Sequence, residues 1–248
     1  AADSSDIPGV PLPGPIVTGI AGGPVYDVVY QLDVPAGHVI VASLQGSPGT
    51  DFDLYLFDST ATTVVSNQGV VARSAGPDSD EAISHPTRTG GRFYIDINGA
   101  SDVVGSFTLT VQAVADGTPP SVMVRLEEGR SAVSRADLLV ELDATDDLSG
   151  VAEMAFSTDG FVFSPWQPFA STTRVSVPAG DGLKRVWAKV RNGVGLESPA
   201  QSASITLDTT PPAVLSVTPT PGGRVAGLRP TFTVGFTEEI TTASWTDL

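Results

Sequence analysis

The stretch VYDVVYQLDVPAGHVIVASL (residues 25–44) decides the fold class, because apolar and polar residues alternate on both sides of a Pro-Ala-Gly turn. A period of two is typical of a β-strand with one face buried. The stretch therefore predicts two strands, at 25–34 and 38–44, separated by the turn.

Alternation of the same kind continues along the chain, and Gly or Pro clusters separate the strands. The 26 Gly and 20 Pro residues suit many short strands joined by turns, and long helical patterns are missing. Residues 1–24 predict an extended lead-in with one edge strand around Ile16–Ile20. Further strands are predicted at 51–57, 92–97 and 106–114, and six more between 121 and 207. The predicted class is all-β.

An acidic, proline-paired motif divides the chain into modules. It occurs as DGTPP at 116–120 and as DTTPP at 208–212, which is 92 residues later. Paired prolines stiffen a linker and force extended backbone before the next strand. The predicted domains are 1–115, 116–208 and 209–248. The middle one, with six or seven short strands, has an Ig-like pattern.

The block at 209–248 predicts only the first strands of a further sandwich. Three strands with one apolar face cannot close a two-sheet core. Either the chain is cut there or another segment completes the module. A strand from a second copy could do so, and the apolar stretch GVPLPGPIVTGI (9–20) is a conceivable donor.

Composition excludes some classes of partner. The formal charge of -15 predicts repulsion from nucleic acids and from anionic membrane surfaces. It suits a calcium-containing exterior or simply a well-solvated surface. The chain has no cysteine, and no apolar run is long enough to span a membrane. Its first residues, AADSSDIPG, are typical of a mature terminus after cleavage of a leader.

Two blocks resemble known families. VYDVVYQLDVPAGHVIVASLQG, GTDFDLYLFDS, GGRFYIDI and GSFTLTV resemble the bacterial pre-peptidase C-terminal domain. That resemblance implies a jelly-roll-like β-sandwich beside a secreted enzyme. Related collagen-binding domains use calcium and exposed tyrosines. DDLSGVAEMAFSTDGFVFSPWQPF and PAGDGLKRVWAKVRNGVGLES resemble bacterial Ig-like repeats, which are mostly spacers, and residues from 209 on resemble the start of another such domain.

Acidic residues supply the candidate metal ligands. Asp51 and Asp53 lie on one face of a strand about 7 Å apart, within reach of one calcium ion. Hydrogen bonds to turn backbone, or exposure to solvent, are the plainer alternative. The same two interpretations, a calcium ligand or a hydrogen-bonded turn residue, apply to the acids of LDATDDLSG and of the two linkers. The linker acids would bind calcium between modules. These candidates are Asp143, Asp146, Asp147, Asp116 and Asp208.

Tyrosines are the candidate ligand-binding residues. Tyr26 and Tyr30 share strand parity, and with Tyr55 they could form an exposed stripe for an extended polymer; packing in the core or at an edge is the plainer alternative. In FVFSPWQPF (161–169) a tryptophan buried in an Ig-like sandwich is expected rather than a carbohydrate site. No catalytic motif is present, so we predict no enzymatic activity.

The predicted function is that of an exported cell-surface or extracellular structural or adhesive protein, which could self-assemble into a filament by strand complementation. The alternative is a non-catalytic substrate-binding and spacer region of a larger secreted hydrolase. Calcium is the one cofactor considered. The predicted partners are other copies of the chain, neighbouring surface proteins or an extracellular polymer.

Overall fold

The computed structural model describes residues 5–22, 27–100, 103–220, 222–223 and 231–238. Within them the regular structure consists of β-strands and one three-residue 3-10 turn, Glu127–Gly129. The all-β prediction is confirmed. No helix in these ranges is long and apolar enough to cross a membrane.

Nine strands in two sheets form the first sandwich. They are β1 (Val10–Pro11), β2 (Ile16–Ala21), β3 (Asp27–Val34), β4 (His38–Gly46), β5 (Phe52–Asp58), β6 (Val70–Ser74), β7 (Glu81–Thr87), β8 (Gly91–Gly99) and β9 (Gly105–Ala115). The strand orders are β1-β3-β8-β5-β6 and β2-β9-β4-β7. Alternate residues of both sheets meet in one apolar core, among them Leu54, Ile95, Ile40 and Leu109. The predicted period of two produces this core, because it places every second side chain on the inner face.

The lead-in belongs to the first sandwich. β1 pairs in parallel with β3, and β2 pairs with β9 as an edge strand, so the predicted edge strand around Ile16–Ile20 is confirmed. Val17 and Ala21 of β2 are buried in the core. The expectation that residues 9–20 act as a donor strand for another copy is wrong, since this stretch already pairs within its own chain.

Eight strands in two further sheets form the second sandwich. They are β10 (Ser121–Leu126), β11 (Ala132–Val133), β12 (Asp137–Thr145), β13 (Val151–Ser157), β14 (Gln167–Pro168), β15 (Thr172–Ser176), β16 (Gly182–Asn192) and β17 (Gln201–Leu207). The orders are β10-β12-β15 and β11-β17-β16-β13-β14. Leu138 and Val140 of one sheet share a core with Val186 and Ile205 of the other.

Beyond the second sandwich the structure describes one antiparallel pair, β18 (Val214–Thr218) and β19 (Thr233–Phe236). Val214, Leu215 and Phe232 expose much of their apolar side chains here. The prediction of a third module depends on further residues that lie outside the described ranges, so it stays a prediction.

Candidate functional site at the junction of the two sandwiches

The first linker is tied to the first sandwich and turned by its own aspartate. Asp116 donates its backbone N–H to the carbonyl of Gly37 at 3.0 Å. Its Oδ1 accepts from the backbone N–H of Thr118 at 3.2 Å, which is an Asx-type turn. The two prolines that follow keep the backbone extended into β10.

A buried asparagine joins this linker to the second sandwich. Asn192, at the end of β16, is fully buried. Its Nδ2 donates to Asp116 Oδ2 and to Asp146 Oδ1, both at 3.1 Å, and to the Thr118 carbonyl at 3.3 Å. Its Oδ1 accepts from the Leu196 N–H at 2.8 Å, which sets the orientation of the amide. Asp116 Oδ2 also accepts from the Ser149 N–H at 3.2 Å.

The structure brings together three of the predicted metal ligands. One carboxylate oxygen from each of Asp116, Asp146 and Asp147 lies within 4.8 Å of the others. Asp143 does not join them. It lies exposed on β12, opposite Met123 of β10, because the strand carries it away from the loop that holds Asp146 and Asp147.

An ion-pair bridge forms a second contact between the sandwiches. Glu153 Oε2 on β13 accepts from Arg191 Nε at 2.5 Å and from an Arg88 terminal nitrogen at 2.7 Å; Arg88 follows β7 of the first sandwich. The hydrogen bond from Arg191, and then that from Arg88, lowers the pKa of Glu153 to about 2. The Arg191 guanidinium also lies 4.5 Å from the centre of the Trp166 ring, which holds it in place.

Backbone packing closes the junction. A Cβ built on Gly193 would lie 2.6 Å from Pro86 Cγ and 2.7 Å from the Ser149 carbonyl oxygen. A Cβ on Gly195, whose φ is +96°, would lie 3.1 Å from Arg88 Cγ. Asn192, Arg88 and Glu153 were not predicted as site residues. The Asn-Gly pair at 192–193 signals a turn, but no spacing signal connects it with residue 88 or 116.

Asp208 repeats the local geometry of Asp116 at the second linker. Its Oδ1 accepts from the Thr210 N–H at 3.2 Å. Nearby, Asp181 accepts hydrogen bonds from Thr209 and Thr210, and those side-chain bonds lower the pKa of Asp181 to about 2. The pKa of Glu238 is raised by burial and then by the charge of Asp208. Asp208 therefore lies in a separate acidic group from the first junction.

Asp53 lies on the outer face of β5, as its parity predicts, and Asp51 is the residue that precedes this strand. Burial raises the pKa of Asp53, and the charges of Asp51 and Glu81 add to it. Tyr55 donates its hydroxyl to Asp53 Oδ2 at 3.4 Å. Asp51 Oδ1 is buried and has no hydrogen-bond partner among the described residues. This pair belongs to the first sandwich and is not part of the junction.

The predicted tyrosine stripe is not formed. Tyr30 is 8% exposed and packs in the first core, so its ring cannot serve an exposed binding surface. Tyr55 is half-buried against an outer apolar cluster, and Tyr26 lies outside the described residues. The expected buried tryptophan is also wrong: Trp166 and Trp187 lie on the outer face, where Arg191 and Arg185 stack on them.

The first sandwich matches a known protein family. Residues 28–118 match the bacterial pre-peptidase C-terminal domain. One similar solved structure is that domain of a Bacillus anthracis collagenase, 16% identical over 39% of this chain and 87% of that one, TM-score 0.34. Another is the Aeromonas hydrophila periplasmic lysozyme inhibitor PliG, 19% identical over 42% and 95%, TM-score 0.33.

The second sandwich is included in a longer alignment. The fibronectin(III)-like modules of Clostridium thermocellum CbhA are 14% identical over 77% of this chain and 94% of that one, with a TM-score of 0.32. No curated protein matches the chain.

Proposed function

Because residues 28–118 are a bacterial pre-peptidase C-terminal domain, we propose that this chain is a non-catalytic accessory region of an extracellular protein. In this proposal the first sandwich is the accessory domain. The second sandwich is a spacer that holds this domain at a fixed distance and orientation from the rest of the protein. This corresponds to the alternative function considered from the sequence, a non-catalytic region of a larger secreted hydrolase.

The observation that supports a spacer role is the junction. A flexible linker would leave the two sandwiches free, but here Asn192 of the second sandwich bonds to Asp116 of the linker, and Glu153 bonds to Arg88 of the first. Gly193 packs against Pro86 with no room for a side chain. A buried hydrogen-bond node, an ion-pair bridge and direct packing together define one relative orientation.

Small-angle X-ray scattering of the whole chain tests the spacer role. The double variant Arg88→Ala, Asn192→Ala removes both polar contacts and should broaden the distance distribution and increase the radius of gyration. Arg125→Ala is the matched control, because Arg125 pairs with Glu141 inside the second sandwich. Wild-type scattering that requires an ensemble of orientations, indistinguishable from the double variant, would contradict the proposal.

Calcium at the junction stays a prediction. Three carboxylates and the Thr118 carbonyl are the hard oxygen donors that calcium prefers, and calcium would bridge the linker to the second sandwich. The Asn192 amide hydrogens already satisfy two of these carboxylates. Calorimetric titration with calcium compares wild type with Asp147→Asn. If the two titrations are the same, hydrogen bonds alone hold the junction.

Self-assembly is a second proposal for the function, supported by β18 and β19. Among the described residues β18 and β19 pair only with each other, Val214 and Leu215 are 53% and 72% exposed there, and an isolated two-stranded ribbon is marginally stable. Light scattering of the whole chain, with negative-stain images, should show multimers or filaments that Leu215→Glu abolishes. A monomer at all concentrations would contradict assembly while leaving the spacer role intact.

A further inference from the structure

A row of basic and aromatic side chains follows the outer face of β16 in the second sandwich. Val186, Ala188 and Val190 face the core, so the residues between them face outward. The outward side chains are Leu183, Arg185, Trp187, Lys189 and Arg191. This one strand contains four of the 13 lysines and arginines of the chain. A chain with a formal charge of -15 thus concentrates positive charge at one place.

Each outward cation lies beside an aromatic ring. The Arg185 guanidinium is 5.6 Å from the centre of the Trp187 ring, and Lys189 Nζ is 4.9 Å from the centre of the Phe163 ring. Such contacts hold the charged groups and the rings side by side. The surface therefore offers apolar rings and positive charges in alternation, a combination suited to a ligand with both apolar faces and anionic groups.

A fixed turn next to this row exposes two apolar side chains. Phe161 is 89% exposed and Val162 is 73% exposed. Asp159 Oδ1 accepts from the N–H groups of both residues, at 2.8 and 2.9 Å. Gly160, at φ +80°, lies against the indole of Trp187, where a Cβ would be 2.9 Å from Cε2. The turn is therefore held with Phe161 in solvent beside the row, and neighbouring exposed apolar groups are typical of a binding surface.

The neighbouring strand adds exposed hydroxyl groups. On β17, Ser202 lies opposite Trp187 and Ser204 lies opposite Arg185, and both serines are exposed. Arg185 Nε donates to Ser204 Oγ at 3.0 Å. Within the described ranges Arg185 forms no ion pair with a carboxylate. Its terminal nitrogens therefore present an uncompensated charge to solvent.

Two carboxylates offset part of the positive charge of the surface. Glu197 lies 3.7 Å from Lys189, and Glu153 binds the two junction arginines described above. Four cations against two carboxylates leave two positive charges. That suits a polymer with widely spaced anionic groups better than a nucleic acid, which carries a phosphate on every nucleotide.

We propose that the outer face of β16 and β17 binds an anionic polysaccharide in which acidic sugars alternate with neutral ones. Arg185 and Lys189 are four residues apart, about 13 Å along the strand, with Trp187 between them. The two cations pair with sugar carboxylates, and the rings of Trp187 and Phe161 contact the apolar face of the neutral sugar between. The serine hydroxyls bond to sugar hydroxyls. The second sandwich then binds a ligand in addition to its role as a spacer.

Nuclear magnetic resonance of the whole chain, titrated with a hyaluronan decasaccharide, tests this surface. Hyaluronan alternates glucuronate with N-acetylglucosamine. The indole N–H signal of Trp187, identified by its loss in Trp187→Phe, should shift on titration. Phe161→Ala and Arg185→Ala should each weaken binding about tenfold. Both side chains are exposed, so both variants should keep the melting temperature of wild type.

Matched controls are available for both variants. Phe232→Ala removes an aromatic ring that is 57% exposed outside the second sandwich, and Arg125→Ala removes an exposed arginine of its opposite sheet. Neither should change the titration. The two test residues take no part in the junction contacts, so the spacer role is measured separately.

Several results would overturn the proposal. These are the absence of any shift with hyaluronan, or unchanged binding in both Phe161→Ala and Arg185→Ala. Equal binding of the neutral chitohexaose would show that the acidic sugar is not recognised. Tighter binding of oligothymidylate would assign the surface to nucleic acid, and multimers that Arg185→Ala abolishes would assign it to a second copy of the chain.

Discussion

Asn192 shows how one side chain can specify a contact between modules. Its amide donates to two carboxylates and a carbonyl, and its oxygen accepts a backbone N–H, so every polar atom of the side chain is used. A buried polar group of this kind contributes specificity, because any other arrangement of the modules would leave it unsatisfied.

Asn192→Asp replaces a donor with a third carboxylate facing Asp116 and Asp146. We expect a loss of about 2–4 kcal/mol in the free energy of unfolding of the second sandwich, because the carboxylates repel and lose their donor. Urea denaturation measures it. Asn67→Asp adds the same charge on an exposed loop and should change stability little; equal losses in both variants would show that charge alone is responsible.

Glu153 makes the junction sensitive to acid. Its pKa in the folded chain is about 2, below the usual 4.5, so its two ion pairs stabilise the fold fully above about pH 4.5. That contribution is lost as the pH falls from 4.5 through 2. Wild type should therefore lose more stability than Glu153→Gln between pH 5 and pH 3, measured by urea denaturation. Parallel losses in the two proteins would contradict this account.

At the scale of elements, β2 closes the first sandwich and protects β9. Its six residues pair with β9 from Ile16 opposite Thr110 to Ala21 opposite Gly105. Alternate residues of β2 face the core, so Val17 is 8% exposed while Ile16 is 65% exposed. Without β2, the edge of β9 would be open to pairing with other chains.

Val17→Asp and Ile16→Asp test this assignment with one substitution on each face. The first buries an unpaired charge in the core and should lower the free energy of unfolding by about 3–5 kcal/mol. The second places the same charge in water and should change it by about 0.5 kcal/mol or less. Thermal and urea unfolding of both variants measure the difference. A similar loss of stability in the two would show that Val17 does not face the core while Ile16 faces solvent.

At the scale of the whole molecule, the arrangement of the sandwiches depends on the short turn after β16. Gly193→Ala places a methyl group against Pro86 and the Ser149 carbonyl. We expect a loss of about 1–3 kcal/mol and a changed relative orientation, since close-packed contacts resist an added methyl. Small-angle X-ray scattering, and distances measured between spin labels on the two sandwiches, should show the changed orientation.

Gly117→Ala is the control for that substitution. Gly117 lies in the linker between the two sandwiches, and a Cβ there would meet no atom within 4 Å. Its scattering should match that of wild type. A shift of equal size in both variants would mean that linker flexibility, rather than contact between the sandwiches, sets the orientation.

Periodicity predicted most of the longer strands, though not β6 or β7, and it predicted the outward direction of Asp53 and Tyr55 on β5. Alternation follows from the local geometry of the strand, which every residue carries with it. The Asp-x-Thr turns at 116 and 208 are local in the same way. Such features depend on residues a few positions apart and are therefore visible in the sequence.

Only the tertiary structure decided what those side chains meet. Phe57 points outward by parity, yet it is buried, because residues from the lead-in and from the loop after β5 cover that face. Tyr30 enters the core, Glu153 finds Arg88, and Asp96 of β8 is buried from water. Each of these outcomes depends on which strands become neighbours and on which segment covers the sheet. Those choices are made by contacts between residues far apart in the chain, and spacing along the sequence does not encode them.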